Sequence, residues 1–380
     1  MTGFAITGAT IFTGEAMLAD HALIIRDGRI DAVIEARALR PDIALTRLDG
    51  GILAPGFVDV QVNGGGGFCV NNQPDSAALR QIAQAHARYG TTAMLPTVIT
   101  DAPDVMRAAI AATREALRLG APGIIGLHCE GPFLDLARRG AHPAPFIRKA
   151  EAADIDGLIA ADCGTLLVTL SPDQVSFADI TRLAKAGVIV SLGHSDATIE
   201  TAERALAAGA SAFTHLFNAM SALTHRAPGM VGAALSSRHA YCGLICDGLH
   251  VDPRVLEIAL RAKSHDHFVL VSDAMPPAAG GPDQFTLQGR SITRRNGALY
   301  LEDGTLAGCD LTMDAAMRYC VRTLGLPLPT ALQMAARNPA RMIGQHHRIG
   351  SLAPGLQADM VHLDDSLQVR ATWIAGSAIA

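Results

Sequence analysis

Residues 123–134 read GIIGLHCEGPFL. An apolar run carries a histidine and a glutamate two positions apart, then breaks at Gly131-Pro132. Residues two apart on a strand share a face. His128 and Glu130 therefore point together, at the end of a segment whose other residues favour burial. Similar apolar runs recur along the chain: FVDVQVN (57–63), TTAMLPTVI (91–99), GIIGLHCE (123–130), GTLLVTLSP (164–172), GVIVSLGHS (187–195), SAFTHLFNA (211–219), YCGLICDG (241–248) and FVLVSDA (268–274). Helix-like stretches separate them. One is PDSAALRQIAQAHARYG; another is DATIETAERALAAG, with Asp196 near its start and Gly209 just past its end, as capping favours. Near-continuous apolar strands alternating with helices imply a parallel sheet covered on both faces. Eight such units fit an α/β fold of the (β/α)₈ TIM-barrel type better than an open sheet.

The chain ends have another texture. Residues 1–54 alternate as short strands, with RDGRI (26–30) as a hairpin turn, and residues 347–380 resume that pattern. The expectation is a small β-sandwich domain built from 1–54 plus 347–380. The barrel would occupy 55–346, with a β-hairpin insertion near 285–308 at its mouth.

Bulk composition narrows the function classes. The chain has 380 residues, of which 49% are hydrophobic and 18% charged, as in a globular protein rather than a disordered one. A formal net charge of −5 does not favour nucleic acid or an anionic membrane surface. The sequence contains no long unbroken apolar span, and its first residues lack the basic start of an export signal. Seven cysteines without a Cys-x-x-Cys pair read as reduced, buried thiols. The expected location is the cytoplasm.

Chemistry in such a barrel sits at the C-terminal ends of the strands, where the unusual polar residues of this chain collect. The first run ends with Gln61 and Asn63, the third with His128 and Glu130, the fifth with His194 and the sixth with His215. The seventh run leads to Asp247 and His250, and the eighth to Asp273. Glu130, His194 and His215 form a set of two imidazoles and one carboxylate, a donor set used by catalytic zinc. A metal there would lower the pKa of its bound water. Asp273 could take a proton from that water and later return it to a leaving group.

Eight motifs extend this reading: PGFVDVQVNG (55–64), GLHCEGPFL (126–134), GAHPA (140–144), SLGHS (191–195), THLFNAM (214–220), CDGLHVD (246–252), VSDAM (271–275) and GTLAG (304–308). In this order they resemble the amidohydrolase superfamily and, within it, the N-acetylglucosamine-6-phosphate deacetylase family. The tail segment 338–361 is similar to the wider superfamily. The resemblance implies hydrolysis of the acetamide of N-acetyl-D-glucosamine 6-phosphate to acetate and glucosamine 6-phosphate, in amino-sugar catabolism or cell-wall sugar recycling. It implies Glu130, His194 and His215 as metal ligands and Asp273 as the acid/base. It also implies that His142 polarises the substrate carbonyl or holds a sugar hydroxyl. The 6-phosphate would be gripped by the backbone of Asn218 and Ala219, the His250 side chain and Arg226. In the family that arginine reaches the neighbouring subunit's pocket, which implies a homodimer.

One departure matters. Many superfamily members carry His-x-His at the end of the first strand and bind two metals; here those places hold Gln61 and Asn63. Amides are poor zinc ligands beside imidazole and carboxylate. The expectation is one divalent ion per subunit, zinc, with iron, manganese or cobalt also compatible with the donors. Gln61 would hydrogen-bond the water on that ion, and His128 would support the site rather than ligate. Three rivals remain: the galactosamine-configured sugar phosphate, a cyclic amide, and a catalytically silent sensor. The cyclic-amide reading wants a two-metal site and often a carboxylated lysine, but the fourth run ends TLSP. The sensor reading would predict loss of Asp273 or a ligand, and all are present.

Overall fold

The computed structural model describes residues 3–379. Eight strands form the central sheet: β1 (Phe57–Val62), β2 (Thr91–Ile99), β3 (Gly126–Glu130), β4 (Thr165–Leu170), β5 (Ile189–Leu192), β6 (Ala212–Phe213), β7 (Tyr241–Leu244) and β8 (Phe268–Leu270). Neighbours pair in parallel and in chain order. A parallel bridge from Val62 to Ala274 brings the eighth strand's end back to the first. This is the expected α/β barrel. All six residues of β1 and all nine of β2 are buried, because helices cover the sheet outside and side chains fill it inside. Phe57, Phe213 and Phe268 are fully buried; truncating one to alanine would cost about 3–5 kcal/mol.

Most strands are shorter than the apolar runs suggest, β6 and β8 among them. β6 stops at Phe213 and β8 at Leu270. The residues that follow leave the strand conformation: His215, Phe217 and Asp273 have φ of 31°, 79° and 48°.

The helices start where local chemistry permits. Asp75 accepts the Ala78 N–H at 2.8 Å and caps helix Ser76–Ala87, whose Leu79, Ile82 and His86 face inward. For DATIETAERALAAG, the expected cap shifts. Thr198 accepts the Thr201 N–H, and the helix runs Ile199–Ala207. Asp196 instead pairs with Arg138. Gly209, with φ of 119°, lies two residues past the helix end.

The terminal segments form two sheets. One orders Arg29–Glu35, His21–Arg26, Gly3–Thr7 and Ala44–Arg47. Asp27 and Gly28, both at positive φ, turn the hairpin between its first two strands. The other orders Ser377–Ala378, Val369–Ile374, Met360–Leu363, Ile52–Pro55, Thr10–Phe12 and Met17–Leu18. Ile6, Ile11, Leu23, Leu53, Met360 and Trp373 share a core of their own. Ile52–Pro55 runs almost directly into β1, so this sheet braces the strand that carries Gln61.

The segment read as one hairpin is a four-stranded antiparallel meander: Gln284–Leu287, Arg290–Arg295, Ala298–Leu301 and Leu306–Cys309. Cys309 donates its N–H to the Asp273 carbonyl at 2.8 Å and accepts from Met275 N–H at 3.0 Å. The meander is thereby stitched to the residues after β8, over the barrel mouth. No helix among the described residues is long and apolar enough to cross a membrane.

Asp359 generates a stability prediction. It is buried beside Met360–Leu363, accepts the Ala375 N–H at 2.8 Å and takes Gln357 Nε2–H at 2.9 Å. Burial dominates, pushing its carboxyl up to about 6. A raised carboxyl pKa favours the folded state below the unfolded value and loses that advantage as pH rises through the folded one. Asp359→Asn should therefore gain stability relative to the native chain between pH 4 and 7, by about 3 kcal/mol at most. Calorimetric unfolding of both chains across that range checks this. A pH-independent difference refutes it.

Candidate active site

Three electron-rich atoms meet at the barrel mouth. Glu130 closes β3, His194 stands two residues past β5, and His215 two residues past β6. Glu130 Oε1 lies 3.1 Å from His194 Nε2 and 3.0 Å from His215 Nε2, and the two ring nitrogens are 3.0 Å apart. All three residues are buried. His194 Nδ1 sits 2.9 Å from the Arg138 carbonyl, which can only accept. That nitrogen therefore carries the proton, and Nε2 turns a lone pair on the carboxylate and the other imidazole. Lone pairs this close repel unless positive charge lies among them. The cluster fits a cation, and its donors suit zinc or another divalent transition metal.

The electrostatics agree. Burial alone would raise Glu130, but the two imidazoles outweigh it and hold the carboxyl well below its usual range. For His215, burial opposes protonation, and contact with Glu130 reverses that, raising its pKa. The positive charge has a ready place.

Asp273 faces the same cavity from the end of β8, with φ of 48°. Its Oδ1 accepts Asn63 Nδ2–H at 2.7 Å and Gln61 Nε2–H at 3.2 Å. Burial, then the charge of Glu130, pushes it up to about 6, within reach of a proton-carrying role near neutral pH. Gln61 also donates toward both Glu130 oxygens at 3.2 Å. Its amide thus bridges the two carboxylates. The residues replacing His-x-His serve as hydrogen-bond donors to Asp273.

His142 is buried, although its sequence suggests a mobile loop. Its ring packs edge-on to His194 with centroids 4.4 Å apart, and Nδ1 lies 2.9 Å from Thr100 Oγ1. Burial, then the neighbouring imidazole of His194, holds its pKa well below the usual histidine value, so the ring is neutral. The Thr100 hydroxyl has two acceptors within reach, His142 Nδ1 at 2.9 Å and the Glu130 carbonyl at 3.4 Å; donated to the nearer Nδ1, it leaves the ring proton on Nε2, as an oxyanion donor requires. His128 lies below, its nitrogens 3.3 and 2.7 Å from the hydroxyls of Thr97 and Thr169. Both nitrogens are engaged there, and burial lowers its pKa to about 4.

The cavity holds about 210 Å³. Asn218, Ala219 and His250 line it with Glu130, His142 and Asp273. The Asn218 N–H already closes on the His215 carbonyl at 3.0 Å, so the turn's anion-holding capacity falls more on Ala219 than the sequence reading assumed. Arg226 is not brought together with them. It is exposed in the loop between β6 and helix Gly229–Ser236, outside the lining of this chain's cavity. A larger groove of about 590 Å³ lies between helices Pro103–Arg118 and Ala152–Ile159. Two of its arginines are paired with Asp104 and Asp154, and its lining includes none of Glu130, His194, His215 and Asp273, so the smaller cavity is the candidate active site.

Sequence reasoning missed the partners that aim these groups. The Arg138 carbonyl and Thr100 act through folding contacts, and nothing in their local sequence marks them; Asp247 stands out at the end of the seventh run, but its bond to His250 does not. Asp135 is another. Its carboxylate accepts from Ser195 Oγ–H and Asp196 N–H, and its N–H reaches the His194 carbonyl at 2.9 Å.

Fold and site together define a (β/α)₈ barrel with a buried, cation-ready cluster and a carboxyl acid/base candidate at its C-terminal mouth. The amidohydrolase family model matches residues 52–379, and the NagA composite domain matches residues 3–53. The chain belongs to the amidohydrolase family, whose superfamily members are metal-dependent. It is 46% identical to an N-acetylgalactosamine-6-phosphate deacetylase of Shewanella sp. (strain ANA-3), over 97% of this chain and 94% of the relative. It is 36% identical to an N-acetylglucosamine-6-phosphate deacetylase of Bos taurus, over 98% of this chain and 94% of that one. The crystal structure of the N-acetylglucosamine-6-phosphate deacetylase from Pasteurella multocida superposes with a TM-score of 0.96 at 34% identity, covering all of both chains.

The cluster predicts its own metal test. Titration with zinc should show tight binding to the native chain and loss of at least tenfold in affinity for His215→Ala. Calorimetry reads this without any substrate. Equal affinity in both chains would remove His215 from the ligand set.

Proposed function

We propose that this chain hydrolyses the acetamide of N-acetyl-D-glucosamine 6-phosphate to glucosamine 6-phosphate and acetate, a step of amino-sugar catabolism or cell-wall sugar recycling. The convergence of Glu130, His194 and His215 beside Asp273 carries the reading, and the named relatives supply the substrate class.

Glu130, His194 and His215 would hold one divalent ion, zinc in this reading, which supplies Lewis acidity and an activated water. Asp273 takes the proton of the attacking water, with Gln61 and Asn63 aiming its carboxylate. His142 donates from Nε2 to the oxygen on which charge develops. Asp273 then hands its proton to the departing nitrogen, so the amine leaves neutral. The 6-phosphate docks on His250, the turn at Asn218 and Ala219, and Arg226 of a second subunit. An arginine fork suits a phosphate dianion, and its exposure in this chain is consistent with a homodimeric site. Remote binding of the phosphate orients the amide over the acid/base. The cytoplasm is the expected setting for such a sugar phosphate.

A second reading has its own support. The Shewanella relative, at 46% identity, acts by name on the galactosamine epimer. Acetate release from both epimers, measured side by side, decides the sugar; absence of turnover on either would overturn the proposal. Asp273→Asn should lower kcat by about 10²–10⁴-fold while metal content stays at the native level. Near-normal kcat in that variant would remove Asp273 from the acid/base role.

A further inference from the structure

We infer that Asp247 is a positioning residue that makes His250 a phosphate-facing cation, and so sets the preference for phosphorylated over unphosphorylated sugar; this rests on the reading of His250 as a phosphate contact. The geometry is specific. Asp247 Oδ2 accepts His250 Nδ1–H at 2.6 Å. Its Oδ1 accepts the N–H of Leu249 at 2.8 Å and that of His250 at 2.9 Å. One carboxylate thus folds the turn and clamps the ring that the turn carries. The two side chains are 10% and 6% exposed. Gly248 makes the turn possible at φ of 75°, and a Cβ there would sit 2.8 Å from Tyr319 Oη. The ring has little freedom to swing.

The charge follows from proton placement. With Nδ1–H given to Asp247, a neutral ring would offer the cavity a lone pair at Nε2, which repels a phosphate oxygen. To donate there, His250 must carry both protons, and a buried imidazolium needs a compensating charge. Asp247 supplies it. Its pKa is lowered although burial opposes that, through the bond and charge of His250. Cys309 also lies against the ring, with Sγ 3.5 Å from Nδ1 and 3.7 Å from Nε2, and the Asp273 carboxyl is close enough to interact with the ring's charge. Burial, then the charge of Asp273, raises that thiol well above its usual value, so it remains S–H and does not compete as an anion. A carboxylate-backed imidazolium recognises a dianion and contributes little toward a hydroxyl at the same place.

Steady-state kinetics on N-acetylglucosamine 6-phosphate and on N-acetylglucosamine test this in the metal-loaded protein. For Asp247→Asn, the loss of kcat/KM should be at least tenfold larger on the phosphorylated sugar, and it should reside in KM. Asp247→Glu, which keeps the charge, should recover part of it. In a His250→Gln background, Asp247→Asn should add no further loss on the phosphorylated sugar. Equal losses on both sugars, or an undiminished Asp247 effect without His250, would overturn the inference alone. A native enzyme that turns over neither sugar phosphate epimer would overturn the functional reading beneath it.

Discussion

A Glu130 carboxylate oxygen and the Nε2 atoms of His194 and His215, all electron-rich, are held 3.0–3.1 Å apart in a buried place. Unscreened, such an arrangement is repulsive, and burial amplifies the repulsion because the local dielectric is low. The fold must force it, and a shared positive charge must relieve it. Three contacts do the forcing. β3 and β5 are neighbours but one, β5 and β6 are paired, and the Arg138 carbonyl turns the His194 ring. The fit to a cation is therefore a property of the barrel as much as of the residues.

The backbone around the site is correspondingly unusual. His194, His215, Phe217, Ala219 and Asp273 all stand at positive φ. Each non-glycine residue there costs about 1 kcal/mol or more. These residues sit where strands have just ended, and neighbours hold them: the Asp273 N–H donates to the Gln61 carbonyl, and the Ala219 carbonyl accepts from Ser195. The strain turns side chains inward that a continuing strand would have left along its face. It also explains why β5, β6 and β8 stop short of their apolar runs: His194, His215 and Asp273 belong to the site, not to the ladder.

Around this centre the remaining elements close the cavity. The meander from Gln284 to Cys309 is tied to the residues after β8 and contributes Leu287 and Thr305–Gly308 to the wall. The terminal sheets brace the entry to β1. In the proposed reading, Arg226 of a second subunit and the carboxylate-backed His250 hold the phosphate while Asp273 serves the amide.

Eight apolar runs separated by amphipathic stretches determine a parallel barrel, because only a sheet covered on both faces buries such strands. The polar residue at each strand end then marks which groups reach the mouth. That logic was legible for Glu130, His194, His215 and Asp273, since strand periodicity and the barrel's end rule are local. It was not legible for Asn63 and Gln61 as donors to Asp273, for Thr100 beneath His142, or for Thr198 rather than Asp196 as a cap. Nor could one hairpin be told from a four-stranded meander in segment 285–308. The cap apart, those outcomes depend on which atoms meet after closure, and side-chain partners 42 to 212 residues apart leave no periodic trace. The sequence determined the kinds of groups at the mouth; the tertiary structure decided their protons, their aim and their neighbours, because hydrogen bonding is directional and short-ranged while hydrophobic patterning is neither.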